Sequence, residues 1–208
     1  MGSPRRVLVL LLTVFAVGLA LGTFKGDSSG LRGAVGNLSA PWLLIGLLSA
    51  VSRRTVARGA AIGLVSTLVA LVGFYTALTL VLAGHLGGGG HLRELAVEMT
   101  ANRVYFAAGL VSGPLLGAVG AWLGRRHPDA VPLVAGALVA GEILVVALAQ
   151  GHQLAPPPLY LVWGVDAWSP YVVECVVGLA MIAVTLARRR LSRTAETHVA
   201  RSDGGGVI

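Results

Sequence analysis

Charge is scarce in this chain of 208 residues: Asp, Glu, Lys and Arg together make up only 12%. That is about half the share found in soluble domains, which excludes an ordinary solvated globular surface. Lysine is rarer still, since Lys25 is the one lysine among 16 basic residues. With abundant Ala, Gly and Val, this is the usage expected of a GC-rich bacterial gene. A single cysteine, Cys175, excludes an intrachain disulfide and a Cys-based zinc cluster. Aromatics amount to 6%, and no basic stripe is interleaved with them. The formal charge of +7 therefore does not read as a nucleic-acid footprint, and no nucleic-acid partner is expected. No Gly-Lys-Ser/Thr phosphate loop occurs, so energy coupling would need a partner ATPase or an ion gradient.

Length of apolar sequence is what the chain has instead. It is 55% hydrophobic with a mean hydropathy of +0.80. Six runs reach bilayer-spanning length, at about 7–24, 34–51, 57–83, 104–124, 130–150 and 170–187. The expected fold is all-α: one polytopic transmembrane bundle over residues 1–187, with a basic, disordered tail at 188–208. The third run is overlong and contains Gly73, which predicts a tilt or bend. Arg5-Arg6, an apolar run and Ala20-Leu21-Gly22 also suit a cleavable signal peptide, but the even span count favours a retained first span.

Orientation follows from counting basic residues on alternate sides. Twelve fall on one side (Arg5, Arg6, Arg53, Arg54, Arg58, Arg125, Arg126, Arg188, Arg189, Arg190, Arg193 and Arg201). Four fall on the other: Lys25, Arg32, Arg93 and Arg103. Both termini are expected to be cytoplasmic, in a cell membrane.

The fourth run carries the clearest pattern. Asn102, Tyr105, Gly109, Ser112/Gly113, Gly117, Gly120 and Gly124 recur at steps of three or four and share one helical face. A polar outer end above a glycine seam predicts a close-packed central helix beneath an outer cavity. Small-residue pairs recur at Ala16/Ala20, Gly18/Gly22 and Gly59/Gly63, as needed for close packing within the chain or against another membrane protein.

Outside the spans, residues 84–103 predict a short interfacial helix after the glycines at 87–90. Leu92, Leu95 and Met99 share one face of it, with Glu94 and Glu98 on another. His85 and His91 lie beside those glutamates, but the glycine run between the histidines argues against a preformed metal site, and none is expected. Residues 151–169, with three prolines, Tyr160, Trp163 and Trp168, predict a cap on the outer headgroups.

Only two acidic residues fall inside the spans, Glu142 in the fifth and Glu174 in the sixth. A carboxylate in hydrocarbon must be paired, protonated or wetted. Asn37, Trp42, Tyr75, Thr76, Asn102, Tyr105 and Tyr171 also fall in the outer half. The candidate ligand- or proton-handling set is Glu142, Glu174, Asn102, Tyr105, Tyr171, Asn37 and Trp42. Tyr171, Glu174, Gly178 and Met181 share a face expected to look into the bundle, together with Asn102, Tyr105 and Gly109. The competing reading is that these groups only glue helices together, with Arg32, Arg103 or Lys25 neutralising a carboxylate. Pro41 suits either a first helical turn or a break lining a cavity.

Residues 37–42 (NLSAPW), Gly113-Pro114-x2-Gly117-x2-Gly120 ending in Arg125-Arg126, and Tyr171-x2-Glu174-x3-Gly178 together carry a resemblance. The chain resembles a family of small bacterial multi-span membrane proteins known only as a domain of unknown function. That likeness implies a six-span bundle and supplies no catalytic residues to carry over. The six-span plan is also similar in architecture to substrate-binding subunits of energy-coupling-factor vitamin transporters, which implies an outward-facing solute pocket.

No nucleophile–base pair and no metal set can be named from these residues, so no enzyme activity and no cofactor are expected. Two readings remain: a solute-binding or transport component with an outward polar cavity, or an accessory subunit of a membrane complex. The bilayer is the expected partner of either.

Overall fold

The computed structural model describes residues 4–26, 30–86, 91–149, 153–155, 161–162 and 167–203. Eight helices account for nearly all of these: α1 (Pro4–Lys25), α2 (Leu31–Gly36), α3 (Ala40–Leu48), α4 (Val56–Leu86), α5 (His91–Ala101), α6 (Arg103–Arg126), α7 (Val131–Ala149) and α8 (Ser169–Asp203). A 3-10 turn, Pro128–Ala130, leads into α7. Strands β1 (Gln153–Ala155) and β2 (Leu161–Val162) form an antiparallel pair with Gln153 opposite Val162. The rest of the segment expected to cap the headgroups, and the glycine run at 87–90, lie outside the described residues.

Six segments are long and apolar enough to cross a membrane: Pro4–Lys25, Leu31–Leu48, Val56–Leu80, Arg103–Arg126, Pro128–Leu148 and Ser169–Leu191. The bundle is all-α, as the hydropathy pattern predicts. The second segment is not one helix: α2 ends at Gly36 and α3 starts at Ala40, leaving a three-residue break. Pro41 sits in the first turn of α3, where its missing N–H has no intrahelical partner to lose.

Helix α4 is the centre of the bundle, flanked by α1 and α6. Its span is 56% buried, against 28% for α6. The expectation that residues 102–124 form the central helix is therefore corrected. Only the glycine face of α6 is buried, while Leu110, Val111, Leu115 and Trp122 on other faces are exposed. Helix α4 instead buries Ser66, Thr67, Ala70, Leu71, Phe74, Tyr75, Ala77, Leu78 and Thr79.

The seam itself lies where its period places it. Gly109, Gly113, Gly117 and Gly120 are all buried. Gly117 crosses Gly63 and Gly59 of α4, and a Cβ on Gly117 would stand 2.9 Å from the Gly63 Cα. Lower down, Gly120 and Gly124 face the carbonyl oxygens of Leu47 and Val51, at the end of α3 and just beyond it. Gly18 and Gly22 of α1 meet the Ala70 and Phe74 carbonyls of α4 in the same way. Gly73 lets the Phe15 carbonyl of α1 come close, which accounts for a glycine in so long a helix. Such contacts replace hydrophobic driving force, which is absent between helices in lipid, with close van der Waals packing.

Helix α8 packs mainly on α7, where Gly178 and Gly136 bring the two backbones together. It is continuous to Asp203, so residues 188–203 are helical rather than a disordered tail. Arg, a good helix former, supplies five of those sixteen residues, and no Gly or Pro interrupts them.

Candidate functional site

The seven candidates divide between two places. Asn37, Trp42, Asn102 and Tyr105 line one cavity of about 320 Å³. Glu142, Glu174 and Tyr171 are not among its lining residues. The expectation that the α6 and α8 faces look into a common space is corrected: α6 packs on α4 and α3, whereas α8 packs on α7.

The cavity is layered along α4. Leu78, Phe74/Tyr75, Leu71 and Thr67 line it at successive turns. Eleven residues separate the ends, about 16 Å at 1.5 Å per residue. At the Leu78 end stand the polar groups supplied by helix termini. Lys25, the last residue of α1, reaches Asn37 in the break of the second span, with Nζ 2.6 Å from Oδ1. Its stem lies against Gly36, where any side chain would collide, and its ammonium sits 5.6 Å from the Phe74 ring centroid.

Helix α5 completes that end. Leu95 and Met99 pack against the cluster of Leu71, Phe74, Tyr75 and Leu78. Leu92, which shares their face in the sequence pattern, is 84% exposed. Glu98 lines the cavity, and its Oε2 accepts from Asn102 Nδ2 at 3.2 Å. Asn102 also donates to the Glu98 carbonyl at 2.9 Å, so it ties α5 to α6.

Aromatic rings form the middle. Trp42 meets Phe74 edge-on with centroids 5.3 Å apart, and Tyr75 stacks on Phe106 at 5.4 Å. Such pairs hold one another in fixed orientations, which preforms the wall. The far end is lined by Gly109, Ser112 and Thr67. Thr67 is 2% exposed, and its Oγ1 has no hydrogen-bond partner among the described residues. The methyl group of Thr67 lies 3.3 Å from where a Gly109 Cβ would stand, so the seam brings α6 down onto this residue. Apolar walls with a few fixed polar groups are the usual make-up of a small-molecule site, and the volume falls at the small end of that class.

Glu142 serves another purpose. Its two oxygens accept the backbone N–H groups of Ser39 (2.5 Å) and Ala40 (2.6 Å). These open α3, whose N-cap Ser39 makes no side-chain capping bond of its own. A carboxylate there satisfies orphan donors and meets the positive end of the helix dipole. Backbone amides, not the basic residues expected to neutralise it, are therefore the groups seen to hold Glu142. Glu174 is its neighbour across the α7–α8 contact. The second oxygen of Glu174, Oε2, is buried with no partner among the described residues. Tyr171, 2% exposed, packs nearby with Leu38 and Val146.

Ser39 joins the two places, since it lines the cavity while its N–H is held by Glu142. Sequence reasoning missed Thr67 as a site residue and considered Glu98 only as a metal-capable side chain. A threonine seven residues before an outer-half aromatic pair was the available signal, but hydroxyls in membrane helices commonly bond carbonyls one turn back in the same helix, as Thr76 and Thr79 do here. No family model matches the chain, and neither curated proteins nor solved structures give a match.

Proposed function

We propose that this chain is a solute-binding or transport component of a bacterial cell membrane, with its cavity open toward the outer side and both termini in the cytoplasm. The observation that carries this reading is the cavity: an aromatic-walled, largely apolar space of about 320 Å³ with charged groups at one end. The twelve-to-four distribution of basic residues supports the orientation.

The faces at Gly18/Gly22, Gly59/Gly63 and Gly109 to Gly124 are filled from within the chain and do not call for a partner, whereas Ala16 and Ala20 are exposed. No catalytic constellation enters this reading, which is of a binding protein rather than an enzyme. The resemblance to small bacterial six-span proteins and the architectural likeness to vitamin-transporter binding subunits agree with it.

Directional access tests it. Ser112→Cys in a Cys175→Ser background is expected to react with a membrane-impermeant maleimide from the outer side of oriented vesicles. An unreactive cysteine, in a protein that labels fully once unfolded, would remove the cavity as a solute site.

A further inference from the structure

At the end of the bundle away from Lys25 and Glu98, five arginines gather at one corner. Arg53 and Arg54 lie in the turn between α3 and α4, Arg58 in the first turn of α4, and Arg125 and Arg126 at the close of α6. The turn is pinned to the end of α6 on both sides. Before it, the Val51 carbonyl lies against Gly124; after it, Gly59 meets the Ala121 side chain. Arg125 folds back along its own helix, with Nε donating to the Ala121 carbonyl at 3.1 Å. Among the described residues none of the five makes an ion pair, and Asp129, three positions past Arg126, makes none either.

Two general rules account for part of this. Basic residues favour one side of a membrane, and Arg125 and Arg126 meet the negative end of the α6 dipole. Neither rule explains Arg53, Arg54 and Arg58 at the start of α4. There the positive end of the dipole repels them, and the first turn holds no acidic residue. The amides that open α4 are already in use. Thr55 Oγ1 accepts the Arg58 N–H at 3.2 Å, and the Thr55 carbonyl accepts the Gly59 N–H at 2.9 Å. An anion at this corner is therefore held by guanidinium groups. Arg53 is half-buried, and the other four are exposed.

One apolar surface leads to the same place. Leu115, Val119, Trp122 and Arg126 recur at steps of four, three and four, so they share a face of α6. All are exposed. On a spanning helix such a face meets acyl chains, and Trp122, one turn before Arg126, sits at the depth where tryptophan meets headgroups.

We propose that this corner binds an anionic phospholipid of the adjoining leaflet. Its phosphate sits among the guanidinium groups, whose planar forks match phosphate oxygens in pairs, and its chains lie beside the stripe above Arg126. The bound charge offsets the mutual repulsion of the five arginines and their misfit with the α4 dipole. A free phosphate would meet the same guanidinium groups but leave the apolar stripe unused. This site is separate from the cavity and stands whether or not the cavity takes a solute.

The experiment is native mass spectrometry of the whole protein, titrated in detergent with phosphatidylglycerol and, separately, with phosphatidylcholine of the same chains. Phosphatidylglycerol is expected to bind roughly tenfold or more tightly, the range of one charge-assisted hydrogen bond. Arg125→Gln with Arg126→Gln should erase that preference. Arg193→Gln with Arg201→Gln removes the same charge from α8 and should leave it intact. If the first pair does not fold, Arg54→Gln with Arg58→Gln carries the same expectation. Equal binding of the two lipids overturns the proposal, and so does equal loss in the corner and α8 pairs, which would reduce the effect to net charge. Displacement of phosphatidylglycerol by inorganic phosphate at matching concentration would reassign the corner to a soluble anion and overturn the lipid as its occupant.

Discussion

Glu142 and Ser39 are 103 positions apart in the chain, yet the Glu142 Oε1 accepts the Ser39 N–H at 2.5 Å. With Oε2 on the next amide, one side chain supplies the missing cap of a helix that begins partway along a span. Glutamine can accept at only one of its two terminal atoms and would turn an N–H₂ toward a backbone N–H. Glu142→Gln should therefore lose about 1–3 kcal/mol of stability, read as a lower unfolding midpoint in detergent. Glu174→Gln leaves both amide contacts of Glu142 in place and should unfold near the wild-type temperature. Equal losses for the two variants would contradict the division of roles drawn here.

A second expectation concerns backbone distance. Gly117→Ala places a methyl group 2.9 Å from the Gly63 Cα, close to backbone that cannot rotate away. Helices α4 and α6 must separate, at about 1–3 kcal/mol. Gly141→Ala is the matched control, because nothing lies within 4 Å of its added methyl. There the helix propensity of alanine should raise stability by roughly 0.5–1 kcal/mol. Opposite signs in thermal unfolding of the two variants check the seam.

Thr67→Val separates binding from stability. The substitution keeps the shape and removes a buried hydroxyl that has no partner among the described residues. Stability should stay level or rise by up to about 1 kcal/mol. Binding of any solute that uses this hydroxyl should fall. A variant that is less stable than wild type would show that the hydroxyl bonds within the protein.

Orientation gives a fourth expectation. Six crossings would return the chain to its starting side, which the proposed orientation puts in the cytoplasm. A reporter active only in the cytoplasm should work when fused after Ile208 and fail when inserted at the α4–α5 connection. The reverse pattern would place the cavity's charged end in the cytoplasm.

The elements that could be read from sequence are those whose signal is local and periodic. Six apolar runs and the face from Gly109 to Gly124 depend on spacing alone, and both appear where spacing puts them. The break in the second span was half legible: Pro41 marked a helix start, but the residues on either side also continue an apolar run. What spacing could not supply is which helix meets which. Glu142 and Glu174 looked like companions of Asn102 because all three lie in the outer half. Their separation follows from α7 and α8 packing on each other beyond α3, a fact carried by no single segment. Thr67 was hidden for a different reason, since its lack of a partner is a property of the assembled core.

The broken second span also bears on the order in which the protein is made. Its hydropathy, 1.3, is the lowest of the six, and the N–H groups that open α3 find their acceptor in the fifth. In hydrocarbon those amides have no water to turn to. During synthesis the segment from Leu31 to Leu48 leaves the ribosome roughly a hundred residues before Glu142. Until then it can rest at the translocon or the membrane interface, but its final seat does not exist. Nascent chains truncated before the fifth span should accordingly leave the second accessible to aqueous reagents, and extension past Glu142 should bury it. The carboxylate that holds the finished helix is, on this account, also a checkpoint in its biogenesis.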